Sequence, residues 1–318
     1  MPRALWHLDK SRSALREAGK SDGEVTVRAL YSLISTGTER LVARGRVPEE
    51  LHELMRVPGM EGSFRFPLAY GYSLVGQVEQ PGHPWHGKTV HALYPHVEEA
   101  CLPVDQLYEV PQHIPPLRAT LASNMETVVN AVWDSGVQVG SRVLVVGFGM
   151  IGALLCRVLS QLPAMELKVA EPDPQRQELA QRMGFGLWKE ETGFDCSFHT
   201  SGTEAGLQSA LDHLAIEGKA VEMSWYGNRP TRIKLGGHFH YRRQQIISSQ
   251  VAHLPASKQP RWSYQRRKAI VFRLLEDEGF DQHIEQVIPF EEAPAFFHKL
   301  RKSDFKPGIG TAIQYFGQ

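Results

Sequence analysis

Gly147, Gly149 and Gly152 stand at G-x-G-x-x-G spacing, directly after the apolar run Val143–Val146 and directly before a helical pattern. Each glycine has a distinct use there. The first makes the tight turn out of a strand. The second lets a diphosphate approach the backbone, and the third lets the new helix pack close to the sheet. Met150 and Ile151 open that helix, whose free N–H groups and partial positive charge suit an anion. A second anchor follows. The run Leu167-Lys-Val-Ala-Glu171 ends in an acid 19 residues after Gly152, where a carboxylate accepts hydrogen bonds from an adenosine ribose. The chemistry indicated is dinucleotide binding. Glu171 repels a 2′-phosphate, which favours NAD over NADP. Arg176, five residues on, reaches a phosphate or lies on the solvated helix face, so NADP stays open.

These residues need a parallel sheet to hold them. From Gly140 the pattern alternates strand and helix. The strands are Val143–Val146, Leu167–Ala170, Cys196–His199, Lys219–Ser224 and Gln245–Ser249, with helices near Ile151–Gln161, Gln175–Met183 and Gly206–Leu214. Such alternation with right-handed crossovers is a doubly wound α/β arrangement. Residues 1–120 read instead as mostly β, with period-2 strands such as Glu24–Tyr31 and Ser73–Glu79 between Gly and Pro punctuation. A helix over Leu117–Ser135 joins the two regions, with Leu121, Met125, Val128, Val129 and Val132 on one stripe. After about residue 260 a helix (Gln265–Glu278), a strand (Glu285–Pro289), a helix (Glu291–Arg301) and a strand (Gly310–Phe316) close the chain.

Composition narrows the classes. Among 318 residues, 35 Lys and Arg balance 35 Asp and Glu, so no charge field points to nucleic acid or an anionic membrane. The longest uncharged apolar run, Val143–Cys156, is too short to span a bilayer, and Met1–His7 has no leader-type apolar segment. Cys101, Cys156 and Cys196 cannot build a disulfide framework, which fits a reducing cytoplasm, nor can they supply a four-thiolate zinc site.

The order of these pieces resembles the medium-chain dehydrogenase/reductase superfamily, in its zinc-type alcohol dehydrogenase-like form, over nearly the whole chain. Besides the glycine motif, the resemblance is carried by Gly37-Thr38-Glu39, Tyr70–Gly76, Gly87-Lys-Thr-Val90, Val110-Pro111, Phe198-His-Thr-Ser-Gly202 and Ile288–Pro294. It implies a Rossmann domain at 121–260 inserted in a β-rich GroES-like catalytic domain formed by 1–120 and the return 261–318. It also implies a homodimer through the Rossmann sheet edge, a small-molecule substrate, and Ser201 as a further cofactor contact. Nucleic acid and membrane partners are not expected.

Zinc members of that family hold the metal with a Cys before Gly-Thr-Asp, a His-Glu pair after a Gly, and an acid or Cys on the entry helix. Here Thr36 stands for the thiolate, and Tyr72 and Ser73 stand for His and Glu. Glu126 alone remains, and zinc needs about three ligands. The expectation is a zinc-independent oxidoreductase moving a hydride between NAD(H) and a carbonyl, alcohol or activated alkene. Thr38 and Tyr72 serve the reacting oxygen, and Glu126 is a base or anchor. The bland alternatives are a turn cap at Thr38, a space-filler at Tyr72 and an ion pair to Arg40 or another cation at Glu126. His96 is a cleft residue or a solvated loop histidine. Trp262–Lys268 reads as a solvated helix start, and His238 and His240 as surface. Two rival readings are a non-catalytic dinucleotide-binding protein, and a zinc enzyme using Glu126 with His96.

Overall fold

The computed structural model describes residues 1–316 and divides into two compact units, Met1–Ser123 with Phe272 onward, and Asn124–Val271. In chain order the first stretch contains β1 (Arg3–His7), β2 (Ser13–Glu17), β3 (Val25–Ile34), α1 (Thr36–Ala43), β4 (Leu68–Ala69), β5 (Leu74–Val78), β6 (Thr89–Ala92), β7 (Glu99–Leu102), β8 (Leu107–Glu109) and α2 (Pro116–Ala119). Next come α3 (Ala122–Ser135), β9 (Arg142–Val146), α4 (Met150–Ser160), β10 (Glu166–Ala170), α5 (Pro174–Arg182), β11 (Gly186–Leu187), β12 (Phe194–His199), α6 (Glu204–Asp212), β13 (Leu214–Glu222), α7 (His238–Tyr241), β14 (Gln245–Ser248) and α8 (Tyr264–Leu274). The chain ends with β15 (Gln286–Pro289), α9 (Ala293–Leu300) and β16 (Thr311–Gln314). Among the described residues no helix is long and apolar enough to cross a membrane.

The first unit is built on β3, which pairs antiparallel with β5, β7 and β16. Its sheet runs β15-β16-β3-β5-β6-β8, so the returning segment completes a sheet begun by the first stretch. Leu5, Val27, Leu74, Phe290, Phe297 and Ile313 lie in one buried cluster, which ties the two ends of the chain together by apolar burial. The single helix expected over 117–135 is two. Thr120 donates its hydroxyl to Leu117 O at 2.6 Å at the break between them.

In the second unit the strands run parallel in the order β11-β10-β9-β12-β13-β14. This is the doubly wound arrangement, with a reversal of strand order at β9/β12. Val143 to Val146 are buried, as expected of a strand covered on both faces. The brief β11 escaped the sequence reading because two residues carry no period. Caps fix the helix starts. Asp173 accepts from Gln175 N–H at 2.9 Å ahead of Pro174, and Thr203 accepts from Gly206 N–H at 3.0 Å. Helix α4 follows directly on Gly149, which offers it no side-chain cap.

Candidate functional site

The glycine turn has the geometry its spacing implies. Gly147 sits at φ +101°, and a Cβ there would lie 2.8 Å from Ser201 N. A Cβ on Gly152 would lie 2.0 Å from Gly147 O, so close packing of α4 on the turn requires glycine. Gly149 is different. The nearest atom to its missing Cβ is Arg176 Nη1 at 3.9 Å. Space is left in front of an uncapped helix start, bordered by a guanidinium. A diphosphate fits that chemistry, since free N–H groups and a cation both favour it.

Glu171 follows β10 and is held beside the turn. Its Oε2 accepts from Phe148 N–H at 2.7 Å and its Oε1 from Asp173 N–H at 3.0 Å. Each carboxylate oxygen has a second lone pair, so both can still accept from ribose hydroxyls. Gln177 Nε2 donates to Glu171 O at 2.6 Å and steadies the backbone there. Residues Gly147, Gly149, Met150, Ile151, Gly152, Glu171, Arg176 and Ser201 thus gather around the ends of β9, β10 and β12 in one unit.

Within the first unit, Thr38 and Tyr72 are brought together. The Tyr72 phenol hydrogen-bonds the side chains of Ser35 and Thr38. Burial, reinforced by the negative Glu39, pushes it up to about 12 despite those bonds. The Gly37-Thr38-Glu39 string lies in α1. Glu39 is fully buried, and its Oε1 accepts from Ser35 N–H at 2.7 Å. Its Oε2 lies 2.9 Å from His96 Nε2. His96 Nδ1 lies 2.7 Å from Ser32 Oγ, which is 2.8 Å from the Tyr315 hydroxyl. The solvated alternative for His96 is therefore corrected. The ring has no exposed surface, because both nitrogens are committed inside the unit.

Glu126 faces cations of its own unit. Lys268 Nζ donates to Oε2 at 2.6 Å, and Arg267 Nε and Nη2 reach Oε1 at 3.3 Å. Arg267 Nη1 also donates to Asn130 Oδ1 at 3.0 Å and Val251 O at 2.7 Å. Burial lowers the Lys268 pKa, and Glu126 opposes that shift. The expectation of a solvated helix start at Trp262–Lys268 fails at these two cations, which are 4% and 1% exposed. Helical spacing alone did not reveal that their face of α8 turns to α3.

In the positions where the resemblance puts zinc ligands, the chain has hydroxyls in use. Ser73 donates to Thr120 O at 2.6 Å and lies 3.1 Å from His91 Nε2, while Ser123 donates to Tyr72 O at 2.6 Å. Among the described residues no group of three His, Cys, Asp or Glu is placed to hold a metal ion. Such a donor set does not fit zinc.

No family model matches the chain. It is 29% identical over 150 residues to (R,R)-butanediol dehydrogenase of Saccharomyces cerevisiae, covering 42% of this chain and 39% of that protein. It is 27% identical over 207 residues to D-guloside 3-dehydrogenase of Escherichia coli, covering 59% of each. The matched segments thus span less than two thirds of those relatives. The solved structure of 2R,3R-butanediol dehydrogenase from Bacillus subtilis superposes with TM-score 0.78 at 16% identity, covering 99% of both chains. Solved structures of this fold include complexes with NADP and with NADH.

The chain shares its fold with these solved dehydrogenase structures.

Two residues of this chain escaped the sequence reading. His199 and Glu222 close adjacent parallel strands in matching register, β12 beside β13. Their Nδ1 and carboxylate oxygens are 2.9 Å apart. The second strand was expected to run on to Ser224, so the sequence did not mark Glu222 as the neighbour of His199.

Proposed function

We propose that the chain is an NAD-dependent oxidoreductase that moves a hydride to or from a small carbonyl, alcohol or activated alkene without zinc. The observation that carries this reading is Glu171, pinned by two backbone N–H groups beside an uncapped, glycine-lined helix start. In this reading Gly147, Gly149, Met150, Ile151 and Gly152 hold the diphosphate on backbone groups, and Arg176 neutralises it. Glu171 takes the adenosine ribose hydroxyls, and its charge opposes a 2′-phosphate. When bound, the nicotinamide supplies or takes up the hydride.

The chain's own work is at the substrate oxygen. Tyr72, raised to about 12, keeps its proton at neutral pH and can donate a hydrogen bond to a carbonyl oxygen as negative charge develops. Thr38, bonded to the same phenol, continues the hydroxyl line. Glu126 is assigned no proton. With Lys268 and Arg267 against it, its part is to anchor α3 to α8. Zinc independence rests on Thr36, Tyr72 and Ser73 at the ligand positions. A homodimer through the β14 edge and a cytoplasmic setting belong to the same reading. A monomer by light scattering at micromolar concentration removes the dimer.

Thermal-shift titration tests the core of the proposal. NADH at about a hundredfold excess over its Kd should stabilise by roughly 2.7 kcal/mol. NADPH should stabilise less, and equal or stronger stabilisation by NADPH overturns the cofactor assignment. NADH oxidation with a carbonyl panel should survive chelators, and one tightly held zinc per chain refutes the metal-free mechanism.

A further inference from the structure

Ser201, His199 and Glu222 form a line of hydrogen bonds at the C-terminal ends of β12 and β13. Ser201 Oγ lies 2.7 Å from His199 Nε2, and His199 Nδ1 lies 2.9 Å from both Glu222 oxygens. Glu222 also accepts from Ser224 N–H at 2.7 Å and from the Tyr226 hydroxyl at 3.0 Å. The His199 side chain has no exposed surface. A glycine makes room for the line. A Cβ on Gly206 would lie 2.1 Å from Ser201 Oγ and 2.8 Å from His199 Nε2.

The polarity of the line follows from the acceptor at its end. A carboxylate has no proton to give, so His199 Nδ1 carries the hydrogen of the Glu222 bond. In the neutral ring Nε2 is then an acceptor, and Ser201 must donate its only proton to it. What Ser201 has left is its two lone pairs, one of which faces the Thr203 hydroxyl at 3.0 Å. The hydroxyl is thereby fixed as an acceptor toward any ligand, where an unrestrained serine offers either polarity.

The sheet order says which part of a dinucleotide meets it. Strands β10 and β12 flank β9 on opposite sides. Glu171 marks the β10 side for the adenosine ribose, and the diphosphate crosses the glycine turn at β9. The second ribose therefore falls on the β12 side, where Ser201 N borders Gly147. We propose that His199 and Glu222 are positioning residues that set Ser201 as an acceptor for a hydroxyl of the second ribose. This rests on the dinucleotide reading above.

Calorimetric titration with ADP, ADP-ribose and NADH tests it, because ADP lacks the second ribose. In Ser201→Ala and Glu222→Gln, affinity for ADP-ribose and NADH should fall about tenfold while ADP binding stays unchanged. The glutamine amide can donate to Nδ1, which moves the ring proton to Nε2. Nitrogen-15 imidazole spectra should show Nδ1–H at His199 in the native protein and Nε2–H in Glu222→Gln. Unchanged ADP-ribose affinity in both variants overturns the proposal, as does an equal loss for ADP, or an Nε2–H tautomer in the native protein. A native protein that binds neither ADP nor ADP-ribose instead overturns the dinucleotide reading itself.

Discussion

Gly149→Ala and Gly152→Ala should separate binding from folding within one turn. At Gly149 the backbone is extended (φ −88°, ψ −168°), which alanine adopts freely, and the nearest atom to the new methyl is 3.9 Å away. Folding loses only a cap preference, roughly 0.5–1 kcal/mol. The methyl would, however, occupy the space through which a diphosphate reaches the α4 N–H groups. Hydrogen bonds to a charged partner are worth about 1.5–3 kcal/mol each, so losing one costs roughly 10- to 100-fold in NADH affinity. At Gly152 the methyl would sit 2.0 Å from Gly147 O and 2.9 Å from Thr200 Oγ1, and the first obstacle is backbone that no rotamer relieves. Overpacking of this kind costs about 1–3 kcal/mol, against a gain of about 1 kcal/mol in helix propensity. A net loss near 1 kcal/mol of stability is expected, together with weakened binding from a displaced turn. Urea denaturation reads the first quantity and calorimetric titration with NADH the second. Native NADH affinity in Gly149→Ala would refute the diphosphate placement. A Gly152→Ala protein more stable than the parent would refute the packing argument.

Three further perturbations follow from the geometry. Thr38→Val and Tyr72→Phe should each reduce turnover by an amount equivalent to about 2.7–4 kcal/mol while NADH affinity holds; near-native turnover in both would leave the hydroxyls as space-fillers. Glu126→Ala should destabilise by about 3–5 kcal/mol, because Lys268 and Arg267 lose the carboxylate against which they are buried; a denaturation midpoint near the parent's would show that water or movement rescues them. Tyr72, raised from 10.0 to about 12 in the folded chain, contributes stability that is fully present below pH 10 and lost as pH rises through 12. The shift corresponds to roughly 2–3 kcal/mol. The stability difference between the parent and Tyr72→Phe should therefore narrow across that window, and a constant difference would mean that the phenol titrates alike in both states.

Much of the dinucleotide unit is written locally. A strand running into Gly147, Gly149 and Gly152, with an acid at the end of the next strand, is a short-range pattern, and each element is set by burial period and turn chemistry. The strand-helix alternation likewise determines a parallel sheet, because crossovers of that length allow little else. Thr38 and Tyr72 were reachable only through the order of motifs, since nothing in their spacing says that one phenol bonds the other's hydroxyl. Polar partners were the least legible. His96 read as open to solvent, yet its two nitrogens meet Glu39 and Ser32 across the fold of its unit. Arg267 and Lys268 read as a basic surface run, and only the packing of α8 on α3 turns them toward Glu126. His199 meets Glu222 because two parallel strands happen to end in the same register. Backbone propensity and apolar periodicity act over a few residues and can be read along the chain. A buried charge or imidazole is tolerable only where distant residues satisfy it, so tertiary structure alone decides which polar residues are used inside and which remain on the surface.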